Sequence, residues 1–433
     1  MQIKRDVYLS KLKSKKENGF IKVITGIRRC GKSFLLFNLY HEYLNSIGVE
    51  NSQIIEIALD EVRNAKYRNP IELDKYIRSL IVNKDKMYYV FIDEIQKVDA
   101  IQNPYVDNKD SKITFVDTLL GLMKITNVDL YVTGSNSKML SSDILTEFKD
   151  RGDEIRVNPL TYKELCEVRG TCGYLVWQEY ITYGGMPLAV LKNTNEEKIK
   201  YLKGLFEKTY LTDVITRHNI KSKNAVLEDL LNIISSSVGS LTNPKKLSDT
   251  FKSKKQENVT PATISKYLDY FIDAFLLNKA IRYDIKGKNY INTPLKYYFT
   301  DVGLRNARLN FRQQEESHLM ENIIYNELLV RDFGVDIGVV EYNYKDNDGK
   351  NMRTQLEVDF IANKGSRKYY IQSALNVDEE SKKEQETNSL NRIDDSFKKI
   401  VVVKNDILPW HDEKGILYLS VQDFLLHEES IDW

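Results

Sequence analysis

Gly26-Ile27-Arg28-Arg29-Cys30-Gly31-Lys32-Ser33 decides how the chain is read. An apolar, strand-like run precedes it, Ile21 to Ile24, and an apolar run follows, Phe34 to Leu44. The stretch is therefore G-x-x-x-x-G-K-S between a strand and a helix, the setting in which such a loop cradles phosphate. Glycine lets the backbone curl so that successive N–H groups point inward. The helix behind the loop adds the positive end of its dipole. The amides from Gly26 through Ile27, Arg28, Arg29, Cys30 and Gly31 to Phe34 are candidates to bind the phosphates of ATP. Lys32 would reach the β- and γ-phosphates, and the Ser33 hydroxyl would bind Mg²⁺.

Sixty residues beyond Ser33, Tyr88-Tyr89-Val90-Phe91-Ile92 reads as a parallel strand buried on both faces, and Asp93-Glu94 closes it. Acids there either cap a following helix or do chemistry. After such a loop, Asp93 would hold the Mg²⁺ bound to Ser33, and Glu94 would orient or deprotonate the attacking water. Val128 to Thr133 is another buried strand, running out into Gly134-Ser135-Asn136. Parallel sheets bind ligands at the carboxyl ends of their strands, so Ser135 or Asn136 would touch the γ-phosphate or the water; the alternative is an ordinary polar turn. Ile54 to Leu59 is a further strand, and Met1 to Lys16 has helical spacing.

These elements, with the segment Arg151-Gly152-Asp153-Glu154-Ile155-Arg156-Val157-Asn158-Pro159-Leu160-Thr161-Tyr162-Lys163-Glu164, resemble the prokaryotic AAA-type, archaeal-ATPase-like P-loop ATPases. In those an AAA domain precedes a C-terminal domain of unknown function. The resemblance implies that Asn136 is a sensor residue. It also places Arg151 near a subunit boundary, where it would act as a finger on a neighbour's γ-phosphate in a homo-oligomer or form a surface ion pair. Tyr183-Gly184-Gly185-Met186-Pro187 and the run from Lys296 to Arg305 fit the same family; the latter reads as a structural joint.

The chain has 433 residues, enough for about three domains, with 29% charged and 42% apolar residues and a net charge of +1. No global field draws it to nucleic acid or membrane. Cys30, Cys166 and Cys172 have no metal-ligand spacing. No apolar stretch approaches a membrane span, and no signal peptide is evident, so a cytoplasmic protein without a membrane partner is expected.

The fold class expected is α/β. Residues 1–160 form a P-loop parallel sheet, 161–310 a helical and winged-helix region, and 311–433 an α/β nuclease-like domain. In the middle region Lys198 to Asn219 reads as one long helix. Helices near Leu227–Ile234, Lys245–Phe251 and Thr260–Leu268 then precede strands at Ile281–Ile285 and Asn289–Asn292, joined at Lys286-Gly287-Lys288. Three helices and a hairpin are a winged-helix pattern. Residues 221–290 carry twelve Lys and Arg against seven Asp and Glu, a net of +5. The third helix would enter the major groove of duplex DNA while the lysines meet phosphates; the alternative is a packing module with a solvated face.

In the last region Glu321–Val330 reads as a helix and Val339–Tyr344, Thr354–Ala362 and Lys368–Leu375 as strands. Lys382–Lys398 reads as an amphipathic helix and Ile400–Val403 as a strand. This resembles the PD-(D/E)XK nuclease fold, with Asp359 and Glu321 as its carboxylates. The third strand, however, offers Gln372-Ser373-Ala374, where those enzymes need an acid or glutamine and then a lysine. A degenerate nuclease-like domain follows from that reading. The function expected is Mg²⁺-dependent ATP hydrolysis coupled to DNA binding or remodelling. The alternatives are a nucleotide-controlled protein-interaction module or an ATP-dependent nuclease.

Overall fold

The computed structural model describes residues 2–108, 110–135, 152–218, 220, 224–255, 257–312, 315–345 and 350–433. It divides into two units, 1–159 with 273–275 and 160–272 with 276–433.

In the first unit β1 (Ile21–Thr25), β2 (Ile54–Ala58), β3 (Tyr88–Asp93), β6 (Val128–Thr133) and β7 (Gly152–Arg156) make a parallel sheet. Its order is β2-β3-β6-β1-β7, and a separate ribbon joins β4 (Ile101–Gln102) to β5 (Lys112–Ile113). Every residue of β1 and β3 is buried, as expected for strands covered on both faces. Helices Pro70–Leu80 and Phe115–Met123 bring Leu73, Ile77 and Leu119 into one core with Val23, Ile57, Val90 and Val132. The first of them starts where its sequence says it should. Asn69 caps it, accepting from the N–H of Ile71 and Glu72, and Pro70 fills the first turn.

The helical stretch from Lys32 to Ser46 buries Leu36, Tyr40 and Leu44. Tyr40 stands 5.9 Å from the ring of Phe91 and 5.1 Å from that of Tyr131. Beneath these rings Lys22, wholly buried, pairs with Asp129. Asp129 also accepts from the Tyr131 hydroxyl at 2.7 Å and from the Glu17 N–H at 2.9 Å. A buried lysine within a strand is tolerated because its charge is matched and its partner's remaining lone pairs are used.

The second unit begins with helices Tyr162–Arg169 and Tyr174–Tyr183. A helical run from Asn195 through Phe206–Leu211 to Arg217 matches the long helix expected there. Helices Asn224–Ser236, Pro244–Thr250 and Pro261–Asp273 follow. The mixed eight-stranded sheet contains β8 (Leu277–Asp284), β9 (Asn289–Phe299), β10 (Gly334–Lys345), β11 (Asn351–Lys364) and β12 (Arg367–Ala374). It is completed by β13 (Lys398–Val403), β14 (Trp410–His411) and β15 (Leu417–Ser420), in the order β14-β15-β13-β12-β11-β10-β8-β9.

The hairpin at 286–288 is present, its turn held by Asp284 Oδ1, which accepts from the N–H of Lys286 and Gly287. Its strands run longer than the sequence suggests. Thr242, ahead of the second of the three helices, bridges to Leu295 of β9. The hairpin is not a free wing: β8 pairs parallel with β10 through Arg282, Tyr283 and Asp284, so it belongs to the same sheet as the C-terminal strands.

The expected helix at Lys382–Lys398 is a correction. Helix spans only Glu380–Thr387; a single turn, Leu390–Arg392, follows, and Lys398 already lies in β13. By Asp395 the chain has left the helix. This aspartate accepts from the Tyr370 hydroxyl at 2.5 Å and from the Phe397 N–H at 3.2 Å, the second a local turn bond that competes with helix.

The Gly184-Gly185 turn and the joint at 296–305 meet. Asp301 caps helix Val302–Arg308 through Leu304 N–H and accepts from Gly185 N–H at 2.7 Å. A Cβ on Gly185 would lie 2.0 Å from Leu160 O, and one on Gly303 2.0 Å from Tyr183 O, so these contacts require glycine.

Candidate nucleotide-binding site

The loop between β1 and the helix at Lys32 takes left-handed backbone at Gly26 (φ 138°), Arg29 (φ 69°) and Gly31 (φ 99°). A Cβ on Gly26 would lie 2.1 Å from Val157 O, so close approach as well as conformation demands glycine there. Arg5, which the sequence reading did not single out, fastens the loop. Its guanidinium donates to Cys30 O at 3.2 Å and to Asn158 O at 2.6 Å. Cys30 Sγ donates to Val157 O at 3.3 Å. The cysteine is a small buried packing residue here.

Lys32 is 5% exposed, and its ammonium donates to Gly26 O at 2.9 Å and Ile27 O at 3.1 Å. Ser33 Oγ donates to Asp93 Oδ2 at 2.8 Å, across the 60 residues that separate them in sequence. Thr133, at the end of β6, donates to Asp93 Oδ1 and accepts from Glu94 N–H at 3.2 Å. Glu94 sits in left-handed backbone, φ 56° and ψ 48°, and leads into the turn Ile95–Lys97. Burial pushes its carboxyl pKa up; Lys32 and Arg28 oppose that, while Asp93 reinforces it. Gln96 Nε2 donates to Glu94 Oε2 and to Ser135 Oγ, the latter at 3.3 Å. The structure thus brings together the loop, Lys32, Ser33, Asp93, Glu94 and Ser135. Asn136 and Arg151 lie outside the described residues.

Hard oxygen donors side by side, the Ser33 hydroxyl and the Asp93 carboxylate, suit Mg²⁺. The amides and ammonium of the loop suit phosphate. A carboxyl group with a raised pKa next to them suits proton transfer.

In the second unit the carboxylates compared above with a nuclease site do come together: Glu321 on helix Glu316–Val330 and Asp359 on β11. They are joined by Lys296 of β9. Its ammonium lies 2.8 Å from Glu321 Oε1, 2.6 Å from Glu357 Oε1 and 4.0 Å from Asp359 Oδ1. Burial works against the charge of Lys296, but these three carboxylates outweigh it and raise its pKa. The Tyr298 hydroxyl also donates to Glu321, at 2.6 Å. Burial and the neighbouring Glu321 push the Asp359 pKa well up. Gln372 Oε1 accepts from Asp359 N–H at 3.3 Å, and Ala374 is buried. Among the described residues no group of three or more His, Cys, Asp and Glu is arranged to hold a metal ion.

Residues 18–166 match the family model described as AAA domain, which sets the class of the first unit as an AAA-type P-loop domain. Residues 175–315 match a model described as Domain of unknown function (DUF8612). A Haemophilus influenzae protein named "Uncharacterized protein" is 32% identical over 432 residues, covering 98% of each chain. This chain belongs to the family of that protein. A Methanocaldococcus jannaschii protein, also named as uncharacterized, is 27% identical over 439 residues, covering 97% of this chain and 88% of its own. Among solved structures, the Aeropyrum pernix ORC1 protein in complex with DNA matches at 11% identity and a TM-score of 0.29, over 71% of this chain and 92% of its own. A DNA polymerase III gamma subunit-related protein from Thermotoga maritima matches at 14% and 0.30, over 62% and 99%. No helix among the described residues is long and apolar enough to cross a membrane.

Proposed function

We propose that the first unit binds ATP with Mg²⁺ and hydrolyses its β–γ phosphoanhydride. One observation carries this. Asp93 is hydrogen-bonded to Ser33 of the phosphate loop, and Glu94, the next residue, is a half-buried acid tied through Gln96 to Ser135. Lys32 and the loop amides hold the phosphates. Ser33 and Asp93 hold the cation, which neutralises charge on the β- and γ-oxygens. Glu94 takes the proton of the attacking water; Asn136 orients that water; Arg151 completes the site from a neighbouring copy.

Glu94→Gln keeps the shape of the side chain but not its basicity. Turnover is expected to fall by about 10²–10⁴-fold with nucleotide binding retained. Normal turnover in this variant would remove Glu94 as the base.

The second reading concerns the target. Lys245, Lys246 and Lys252 on or just after the second helix, Lys266 on the third, and Lys286 and Lys288 at the hairpin turn are all exposed. We infer that this basic face contacts duplex DNA through phosphates. Affinity for a duplex should then fall linearly with salt on a logarithmic plot, and Lys245→Ala with Lys246→Ala should reduce the slope by about two. An unchanged slope would favour a protein partner, whose engagement depends on nucleotide. We infer domain limits near 160 and 310, with 311–433 a nuclease-like domain whose carboxylates Glu321 and Glu357 pair with Lys296 of β9 outside those limits, so nuclease activity is not expected of it.

A further inference from the structure

Glu94 can act as a base only if its carboxylate is held in one place, and the neighbouring turn shows what holds it. Left-handed backbone at Glu94 reverses the chain into Ile95–Lys97, closed by Lys97 N–H donating to Glu94 O at 2.9 Å. That reversal folds Gln96 back over the residue two places before it. The Gln96 carboxamide donates at once to the Glu94 carboxylate and to the Ser135 hydroxyl. Ser135 is 6% exposed and immediately follows the end of β6 and Gly134. On the other side, Thr133 accepts from the Glu94 N–H and donates to Asp93. The main chain of Glu94 is thus anchored to β6 through Thr133, and its side chain is anchored beyond the same strand through Gln96.

One atom of the arrangement is unexplained by packing. Gln96 Oε1 is buried and accepts no hydrogen bond among the described residues. A glutamine that served only to close the turn would need neither the bond to Ser135 nor a buried, unmatched acceptor.

We propose that Gln96 is the positioning residue for Glu94, clamping the carboxylate to the end of β6 so that the base and the γ-phosphate side of the site keep a fixed separation, with Oε1 left to accept from the attacking water. The inference rests on the ATPase reading above. Its chemistry is geometric: a general base contributes only when held within hydrogen-bond reach of the proton that it takes.

The test compares steady-state ATP turnover and nucleotide binding for the full chain with Gln96→Ala, Gln96→His and Glu94→Gln. Gln96→Ala should lower kcat roughly 10- to 100-fold, with KM and nucleotide affinity within about twofold of wild type. Gln96→His, which keeps an N–H donor, should recover part of that loss. On the Glu94→Gln background, Gln96→Ala should add nothing further, since the group it positions is gone. Wild-type kcat in Gln96→Ala overturns the proposal, as does a loss that Gln96→His fails to relieve and that adds in full to Glu94→Gln. The two readings fail separately. Full turnover in Glu94→Gln removes Glu94 as the base and brings down this inference with it. An inactive Glu94→Gln beside a fully active Gln96→Ala brings down this inference alone.

Discussion

Lys32 and Lys296 are both nearly inaccessible lysines near carboxyl groups, and they are held in opposite ways. Lys32 donates to two backbone carbonyls, while the nearby acids bond to neutral groups: Asp93 to the hydroxyls of Ser33 and Thr133, Glu94 to the Gln96 amide. Lys296 sits directly on Glu321 and Glu357. Around the phosphate loop Lys32, Asp93 and Glu94 are each oriented by neutral groups, whereas the first unit's buried ion pair, Lys22 with Asp129, lies elsewhere in its sheet. In the second the cation and the anions answer one another. A collection of charges can therefore be read by what holds each of them. Charges steered by neutral dipoles remain able to meet a ligand of opposite sign, whereas charges in contact form part of the fold.

The largest expected effect follows from the same substitution made at both lysines. Lys296→Met leaves the buried Glu321 and the half-buried Glu357 with no cation and should destabilise the second unit by about 3 kcal/mol, the low end for a broken buried pair because Glu357 keeps contact with water. Lys32→Met gives up hydrogen bonds to two carbonyls and should cost about 1 kcal/mol. Urea unfolding followed by fluorescence, without nucleotide, ranks the two. The reverse ranking would mean that Lys296 is not a structural cation.

A smaller effect sharpens the second cluster. His318 Nδ1 stands 3.8 Å from Glu321 Oε2, and its interaction with Glu321 raises the imidazole pKa against the opposing effect of burial. A histidine whose folded pKa exceeds its unfolded value, about 6.5, stabilises fully below that pH. The contribution is lost as pH rises through the folded value. The ring is 36% exposed, so solvent screening limits the effect to a few tenths of a kcal/mol. The stability difference between wild type and His318→Gln should accordingly be greater at pH 5.5 than at pH 8.5. A difference that does not change with pH would separate His318 from the cluster.

Much of the first unit is legible in sequence for a simple reason. β3 is a continuous apolar run up to Asp93, β1 and β6 are apolar but for Lys22 and Asp129, and the residues with chemical roles sit where these strands stop. The loop, Asp93 and Glu94 are local patterns with fixed offsets from a strand end. Arg5 has no such pattern: it reaches Cys30 and Asn158 from the opening helix, and only the closed fold brings them together. Gln96 is different, since it lies two residues beyond Glu94 and could have been picked out as the first polar side chain able to fold back on it. In the second unit, Ala374 is where the nuclease comparison would need a lysine, but nothing in the sequence signals that Lys296 meets the carboxylates from β9, 25 residues before Glu321 and 63 before Asp359. Contacts of that range leave no periodic trace. The helix expected to Lys398 failed for the opposite reason: amphipathic spacing continued in sequence past Thr387, where the helix ends, into a segment tied to Tyr370 through Asp395.

The central claim is that the charges of the first unit are held ready for a magnesium-bound polyphosphate. Titration calorimetry of ATP with Mg²⁺ into the full chain tests it most directly. The account predicts saturable heat at one site per chain in wild type and in Glu94→Gln, and none in Lys32→Met. Absence of heat in wild type, or equal heat in Lys32→Met, would contradict it.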